Sequence, residues 1–138
     1  MKSMNVYLFF NGNCEEAMNF YKKCLGGDLT LMRYKEGPME TTEESKEKIM
    51  HAELRMDGIH LMASDGEVGK KLLVGQNVNL SINFDTKGEQ EEVFNMLADG
   101  GNITMKLEDV FWGAKFGSLT DKFGVNWMFN YDKPEAQN

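Results

Sequence analysis

The stretch Asn5-Val6-Tyr7-Leu8-Phe9-Phe10-Asn11 returns later in the chain as Asn77-Val78-Asn79-Leu80-Ser81-Ile82-Asn83. Each copy opens on Asn-Val, keeps a Leu at the same offset and closes on Asn. Helical spacing follows each. Cys14, Ala17, Met18, Tyr21, Cys24 and Leu25 recur on one face and predict a helix over residues 15–25. Val93, Met96 and Leu97 do the same over residues 88–99. Asn13 with Glu16, and Thr86 with Glu89, have the form of a capping box. Gly26-Gly27 and Gly100-Gly101 are the expected stops.

The likeness then resumes, with Gly26-Gly27-Asp28-Leu29-Thr30-Leu31 against Gly100-Gly101-Asn102-Ile103-Thr104-Met105. Two more strand-like runs close each half. The turn between them is Asp57-Gly58 in the first half, a two-residue hairpin signal. In the second it is the longer Asp121-Lys122-Phe123-Gly124. Each half therefore reads strand, helix, strand, strand, strand. We expect an α+β fold of two βαβββ modules, residues 1–70 and 71–138, in one structural unit.

Alternation assigns faces to the strands. A two-residue turn at Asp57-Gly58 pairs Met56 with Ile59, Arg55 with His60, Glu53 with Met62 and His51 with Ser64. Ala52, Leu54, Met56, Ile59, Leu61 and Ala63 then pack on a helix, while His51, Glu53, Arg55, His60, Met62 and Ser64 face the open side. Val6, Leu8 and Phe10 face the helix, leaving Asn5, Tyr7 and Phe9 open. In the second half, Val78, Leu80, Ile82 and Phe84 oppose Asn77, Asn79, Ser81 and Asn83. Val125, Trp127, Phe129 and Tyr131 oppose Asn126, Met128 and Asn130. A sheet face that mixes histidines, charges, amides, aromatics and methionines suits a small-molecule pocket better than a plainly solvated surface.

The rest of the composition narrows the function. The 138 residues carry 41% hydrophobic and 27% charged side chains, the balance of an ordinary globular chain. The net charge is −7, with Lys and Arg scattered, so no nucleic-acid partner is expected. No apolar run has the length of a membrane span. The opening MKSMNVYLFF lacks a signal-peptide core, and we expect a cytoplasmic protein with no membrane partner. Cys14 and Cys24 lie on one helix about 15 Å apart, beyond disulfide reach, and read as buried thiols. The 11 methionines alternate mostly within strand-like runs, as core or pocket lining. Residues 36–47 form an acidic connection with the character of a flap.

The chain resembles the vicinal oxygen chelate superfamily, which takes in glyoxalase I, bleomycin-resistance proteins and extradiol dioxygenases, and within it the PhnB-like branch. The resemblance is carried by Tyr7-Leu8-Phe9-Phe10-Asn11-Gly12-Asn13, Glu16-Ala17-Met18-Asn19-Phe20-Tyr21, His51-Ala52-Glu53-Leu54-Arg55 and Met62-Ala63-Ser64-Asp65. It is most specific in Phe111-Trp112-Gly113-Ala114-Lys115-Phe116-Gly117 and Thr120-Asp121-Lys122-Phe123-Gly124-Val125-Asn126-Trp127-Met128. It implies a cup-shaped mixed sheet and a homodimer. Members of the branch often bear the name 3-demethylubiquinone 3-methyltransferase. This sequence argues against methyl transfer, having no Gly-x-Gly-x-x-Gly loop and no room for a doubly wound nucleotide domain.

Glyoxalase-type relatives hold a divalent metal at positions that here match Tyr7, His60 or Met62, Asn79 and Met128. Only His60 is a first-rate ligand, and thioether sulfur is wrong for a hard dication. His51 stands four residues of strand from His60, roughly 13 Å, too far to share one ion. We expect no metal and no cofactor. Glu53 and Arg55 read as an ion pair, and His51 as structural.

Three functions follow. The first is a metal-independent binder of a small molecule, lined by Phe9, His51, Glu53, Arg55, Met62, Asn79, Ser81, Trp112, Phe116 and Met128. The second is a lyase, isomerase or oxygenase using His60 and Tyr7 as catalytic groups. A dimeric interaction module is the third possibility.

Overall fold

Period-two alternation gives way to helical spacing at the same place in each half, and the backbone follows it. The computed structural model describes residues 2–134. The chain falls into two units, Met1–Leu73 and Val74–Asn138. The first carries β1 (Val6–Phe9), α1 (Cys14–Leu25), β2 (Asp28–Arg33), a 3-10 turn at Tyr34–Glu36, β3 (Ile49–Met56) and β4 (Ile59–Ser64). The second carries β5 (Leu80–Asn83), α2 (Lys87–Ala98), β6 (Asn102–Val110), β7 (Ala114–Thr120) and β8 (Asn126–Asp132).

Each unit is a four-stranded mixed sheet, β1-β4-β3-β2 and β5-β8-β7-β6, with one helix. The opening strand of each runs parallel to the last, and the remaining neighbours are antiparallel. This is the α+β architecture of two βαβββ modules. The first hairpin pairs Met56 with Ile59, Arg55 with His60 and Glu53 with Met62, as a two-residue turn requires.

The apolar faces close on the helices. Ala52, Leu54, Leu61 and Ala63 are buried with Cys14, Ala17, Met18, Tyr21 and Cys24 of α1. In the second unit Trp127, Phe129 and Leu119 are buried with Val93, Phe94 and Leu97 of α2. Phe94 meets the Phe129 ring edge-on at 5.0 Å between centroids, a favourable aromatic geometry. Val78 departs from the expected pattern. It precedes β5 and is exposed, because the strand ladder reaches back only to Leu80.

The caps differ between the helices. Thr86 Oγ1 accepts a hydrogen bond from Glu89 N at 3.2 Å, as expected. Asn13 makes no side-chain cap, since its backbone (φ −114°, ψ 25°) is not extended. Instead the buried Asp65, just past β4, accepts from Cys14 N at 3.0 Å and from Ile49 N at 2.8 Å. The orphan donor at the α1 N-terminus is thus satisfied from across the sheet rather than locally.

The internal repeat is also displaced from its sequence alignment. Gly27 and Gly101 approach the carbonyl oxygens of Arg55 and Thr120 in the same way, which equates those two residues and, two positions along each hairpin partner, Met62 with Met128. Tyr7 pairs with Met62, and Ser81 pairs with Met128. The counterpart of Tyr7 is therefore Ser81, not Asn79. A slip of two residues keeps every side chain on its face, so alternation cannot detect it.

Candidate functional site on the first sheet

The open face of the first sheet is a grid of side chains. Tyr7, Met62, Glu53 and Thr30 form its middle row across β1, β4, β3 and β2. On one side Phe9 lies opposite Ser64, and His51 opposite Met32. On the other, His60 pairs with Arg55 and Arg55 with Asp28. Tyr7 is 40% and Phe9 52% exposed, large values for aromatics in a β-strand. Their rings lie 5.2 Å apart.

A hydrogen-bond network centres on Glu53. Its Oε1 meets His51 Nε2 at 3.0 Å; its Oε2 accepts from Arg55 Nε at 2.8 Å and meets His60 Nε2 at 3.4 Å. His51 turns its other nitrogen, Nδ1, to the Tyr7 hydroxyl at 2.9 Å. His60 turns Nδ1 to Asn5 Oδ1 at 3.2 Å. The hydrogen bond from His51, then that from Arg55, outweighs burial and brings the Glu53 carboxyl down to about 2. Burial pushes the Tyr7 phenol above its usual value, with the neighbouring Cys14 adding to it and the Ser64 hydroxyl pulling the other way.

Geometry changes the roles read from the sequence. The Glu53–Arg55 ion pair is present, but it is half of a wider network. His51, read as structural, touches Tyr7; His60, read as the partner of Tyr7, instead bridges Asn5 and Glu53. Asn5 was not singled out by sequence, although the same alternation that exposes Tyr7 exposes it. Met62 lies half-buried between Tyr7 and Glu53.

The remaining candidates belong to the second unit. Ser81 is exposed opposite a half-buried Met128, and Phe116 pairs with Asn130 on the same face. The half-exposed Trp112 ring meets Phe116 at 5.7 Å and 67°. Asn79 precedes β5 and is exposed.

Residues 36–47 are strapped down at their ends. Arg33 clamps Glu15 of α1 with two nitrogens at 3.0 and 2.7 Å and reaches the Glu47 carbonyl at 2.8 Å, while Lys35 pairs with the Glu47 carboxylate. The Tyr34 hydroxyl donates to the Gly66 carbonyl, beside the Phe9 ring. A shallow cavity of about 460 Å³ opens there, lined by Tyr34, Met39, Met50 and Val68 among others.

A family model described as 3-demethylubiquinone-9 3-methyltransferase matches residues 2–129. The chain belongs to this family. It is 34% identical to Protein YjdN of Escherichia coli (strain K12), over 96% of this chain and 97% of YjdN. The crystal structure of PA1353 from Pseudomonas aeruginosa superposes with a TM-score of 0.84 at 39% identity, covering 96% of this chain and all of that one. The PhnB protein of Bacillus cereus, which bears the same methyltransferase description, superposes at 0.78 with 29% identity, over 94% of this chain and 99% of its own. A glyoxalase/bleomycin resistance protein/dioxygenase from Nocardioides, only 15% identical, shares the fold at 0.57. This PhnB-like chain thus shares the fold of glyoxalase and bleomycin-resistance proteins, the fold that its sequence resemblance implies.

A glyoxalase-type metal does not fit the residues of this PhnB-like chain. The paired positions are Tyr7 with Met62 and Ser81 with Met128. Within each unit the pair, a thioether with a phenol or with an aliphatic hydroxyl, is a poor donor set for a hard dication. The Nε2 atoms of His51 and His60 are both engaged with Glu53. Among the described residues, no group of three or more His, Cys, Asp or Glu is placed to hold a metal ion.

Proposed function

We propose that this PhnB-like protein binds a small molecule on the open face of its first sheet without a glyoxalase-type metal. The observation that carries the reading is the Tyr7–His51–Glu53–His60 row, with Arg55 joined to it and the half-exposed Phe9 ring beside it. Fixed polar groups around an accessible aromatic surface supply orientation and contact area together. The family description carries methyl transfer, but we do not assign it. Each sheet is mixed and four-stranded rather than doubly wound, and the sequence has no Gly-x-Gly-x-x-Gly loop.

The test is a small-molecule library screened by thermal shift, with metal analysis of the purified protein. Ligands should stabilise the wild type, and Arg55→Ala and Phe9→Ala should lose that stabilisation. Ligands unaffected by both variants, or stoichiometric nickel, zinc, manganese or iron, would count against the reading. The proposal includes a cytoplasmic homodimer, which light scattering of the purified protein and fractionation of cells check. No helix among the described residues is long and apolar enough to cross a membrane.

A second reading, a lyase, isomerase or oxygenase, is favoured by one contact, Tyr7 hydroxyl to His51 Nδ1. It predicts turnover that is lost in Tyr7→Phe. Comparing His51→Ala with His60→Ala then tells which imidazole serves the reaction.

A further inference from the structure

Three hydrogen bonds run in series from the exposed edge of the first sheet towards its middle: Tyr7 hydroxyl to His51 Nδ1 at 2.9 Å, His51 Nε2 to Glu53 Oε1 at 3.0 Å, and Arg55 Nε to Glu53 Oε2 at 2.8 Å. One member sets the direction of the first two. Glu53 is an ionised carboxylate and can only accept, so His51 Nε2 carries a hydrogen. In the neutral imidazole Nδ1 is then the acceptor, and the Tyr7 hydroxyl donates to it. With its hydrogen turned inward, the phenol oxygen offers its lone pairs outward.

We propose that Tyr7 and His51 form a proton relay that removes the proton of an acidic hydroxyl on a conjugated ligand, a phenol or an enol. This rests on the small-molecule reading above and deepens it. The ligand O–H bond breaks as a new O–H bond forms on Tyr7. The original Tyr7 O–H bond breaks as an N–H bond forms on His51 Nδ1. The ligand keeps the electron pair as an oxyanion, His51 becomes an imidazolium, and no oxidant or reductant is needed. Glu53 is the positioning residue: its charge compensates the imidazolium. The same steps reversed return the proton, so the pair serves as base and then as acid.

The ligand class follows from acidity and shape. An imidazole cannot take a proton from an ordinary alcohol and competes poorly for that of a plain phenol, which ionises at about 10, whereas a phenol or enol conjugated to an electron-withdrawing group ionises close enough to the imidazole range. Phe9, 5.2 Å from the Tyr7 ring and half-exposed, gives a flat apolar surface for the conjugated system. The titratable groups around the relay are Tyr7 from β1, His60 from β4 through Glu53, Glu53 and Arg55 from β3, and, acting on Tyr7, Cys14 from α1 and Tyr34 after β2; β2 itself presents Met32.

The experiment uses the full chain with 4-nitrophenol, whose phenolate is coloured, together with nitrogen NMR of labelled histidine. Free protein should show His51 protonated at Nε2 and bare at Nδ1. Bound probe should ionise at lower pH than free probe, by about one unit, a tenfold shift in its acid equilibrium, with His51 becoming imidazolium as it does so. Tyr7→Phe should abolish the shift, and Glu53→Gln should shrink it; probe affinity from the same titration separates lost ionisation from lost binding. Probe that binds but ionises as in water overturns the relay and leaves the binding reading standing. A hydrogen on His51 Nδ1 in the free protein at neutral pH overturns it whether or not the probe binds. Absence of saturable probe binding overturns the ligand class, while the library screen decides the binding reading independently.

Discussion

The indole nitrogen of Trp127 donates to Asp121 Oδ2 at 2.8 Å, with both residues almost wholly buried. The same carboxylate accepts from Phe123 N at 2.8 Å and Val125 N at 3.1 Å through its other oxygen, and so knots the turn between β7 and β8. Trp127→Phe shrinks the core and removes a donor from a buried carboxylate. We expect a loss of about 2–4 kcal/mol in urea unfolding. Asp121→Ala strands three donors and should cost at least as much.

Asp65 plays a related part in the first unit, joining the start of α1 to the start of β3. Asp65→Ala should destabilise by about 2–4 kcal/mol. Asp65→Asn should fall between, because one amide oxygen cannot replace both carboxylate oxygens. Asn13→Ala, by contrast, removes no cap bond and should change thermal stability by less than about 0.5 kcal/mol. Equal losses at both positions would contradict the remote cap.

The Glu53 carboxyl is depressed to about 2, chiefly by the hydrogen bonds from His51 and Arg55. An unfolded Glu titrates near 4.3. The folded value lies below the unfolded one, so its contribution is complete above about pH 4.3 and is lost as pH falls towards 2. Carbon NMR of the Glu53 carboxyl should show a midpoint near 2. Glu53→Gln should flatten the acid limb of the stability curve in that window only.

Two glycines separate backbone strain from steric contact. Gly58 has φ +80° with open space where a Cβ would stand. Gly58→Ala should therefore cost only the left-handed penalty, about 1–2 kcal/mol. Gly27 has φ +92°, and its Cβ would lie 2.6 Å from the Arg55 carbonyl oxygen. Gly27→Ala carries both costs and should exceed Gly58→Ala by about 1–3 kcal/mol in the same denaturation assay.

Cys14 is fully buried, and burial first, then the Asp65 charge, pushes its thiol up to about 12. Cys24 is buried as well. Native protein should react with a thiol reagent such as DTNB only at the rate of unfolding, and urea should release both thiols. Fast labelling of Cys14 in native buffer would show that α1 does not pack as described.

Much of this molecule is written in local patterns. The hairpin at Asp57-Gly58 fixes its own register, and alternation sorts Ala52 and Leu54 from Glu53 and Arg55 without any knowledge of the partner strand. That put Tyr7, His51, Glu53, Arg55 and His60 on one face. The motif at residues 111–128 added the PhnB-like family. Local patterns failed at Asn13, where a cap-shaped sequence yields to a buried acid from elsewhere. They failed again in the repeat, where Asn79 stood for Tyr7 although the ladder gives Ser81.

The sequence by itself determined two βαβββ modules and the two faces of each sheet, because periods of 2 and 3.6 residues act between near neighbours along the chain. Only the tertiary structure decided that His51 meets Tyr7, that two histidines share Glu53, and that Asp65 caps α1. Tyr7–His51, His60–Asn5 and Asp65–Cys14 join positions on separate elements. Their meeting depends on the offset between β1 and β4, which alternation leaves free in steps of two residues and which packing against the helix settles.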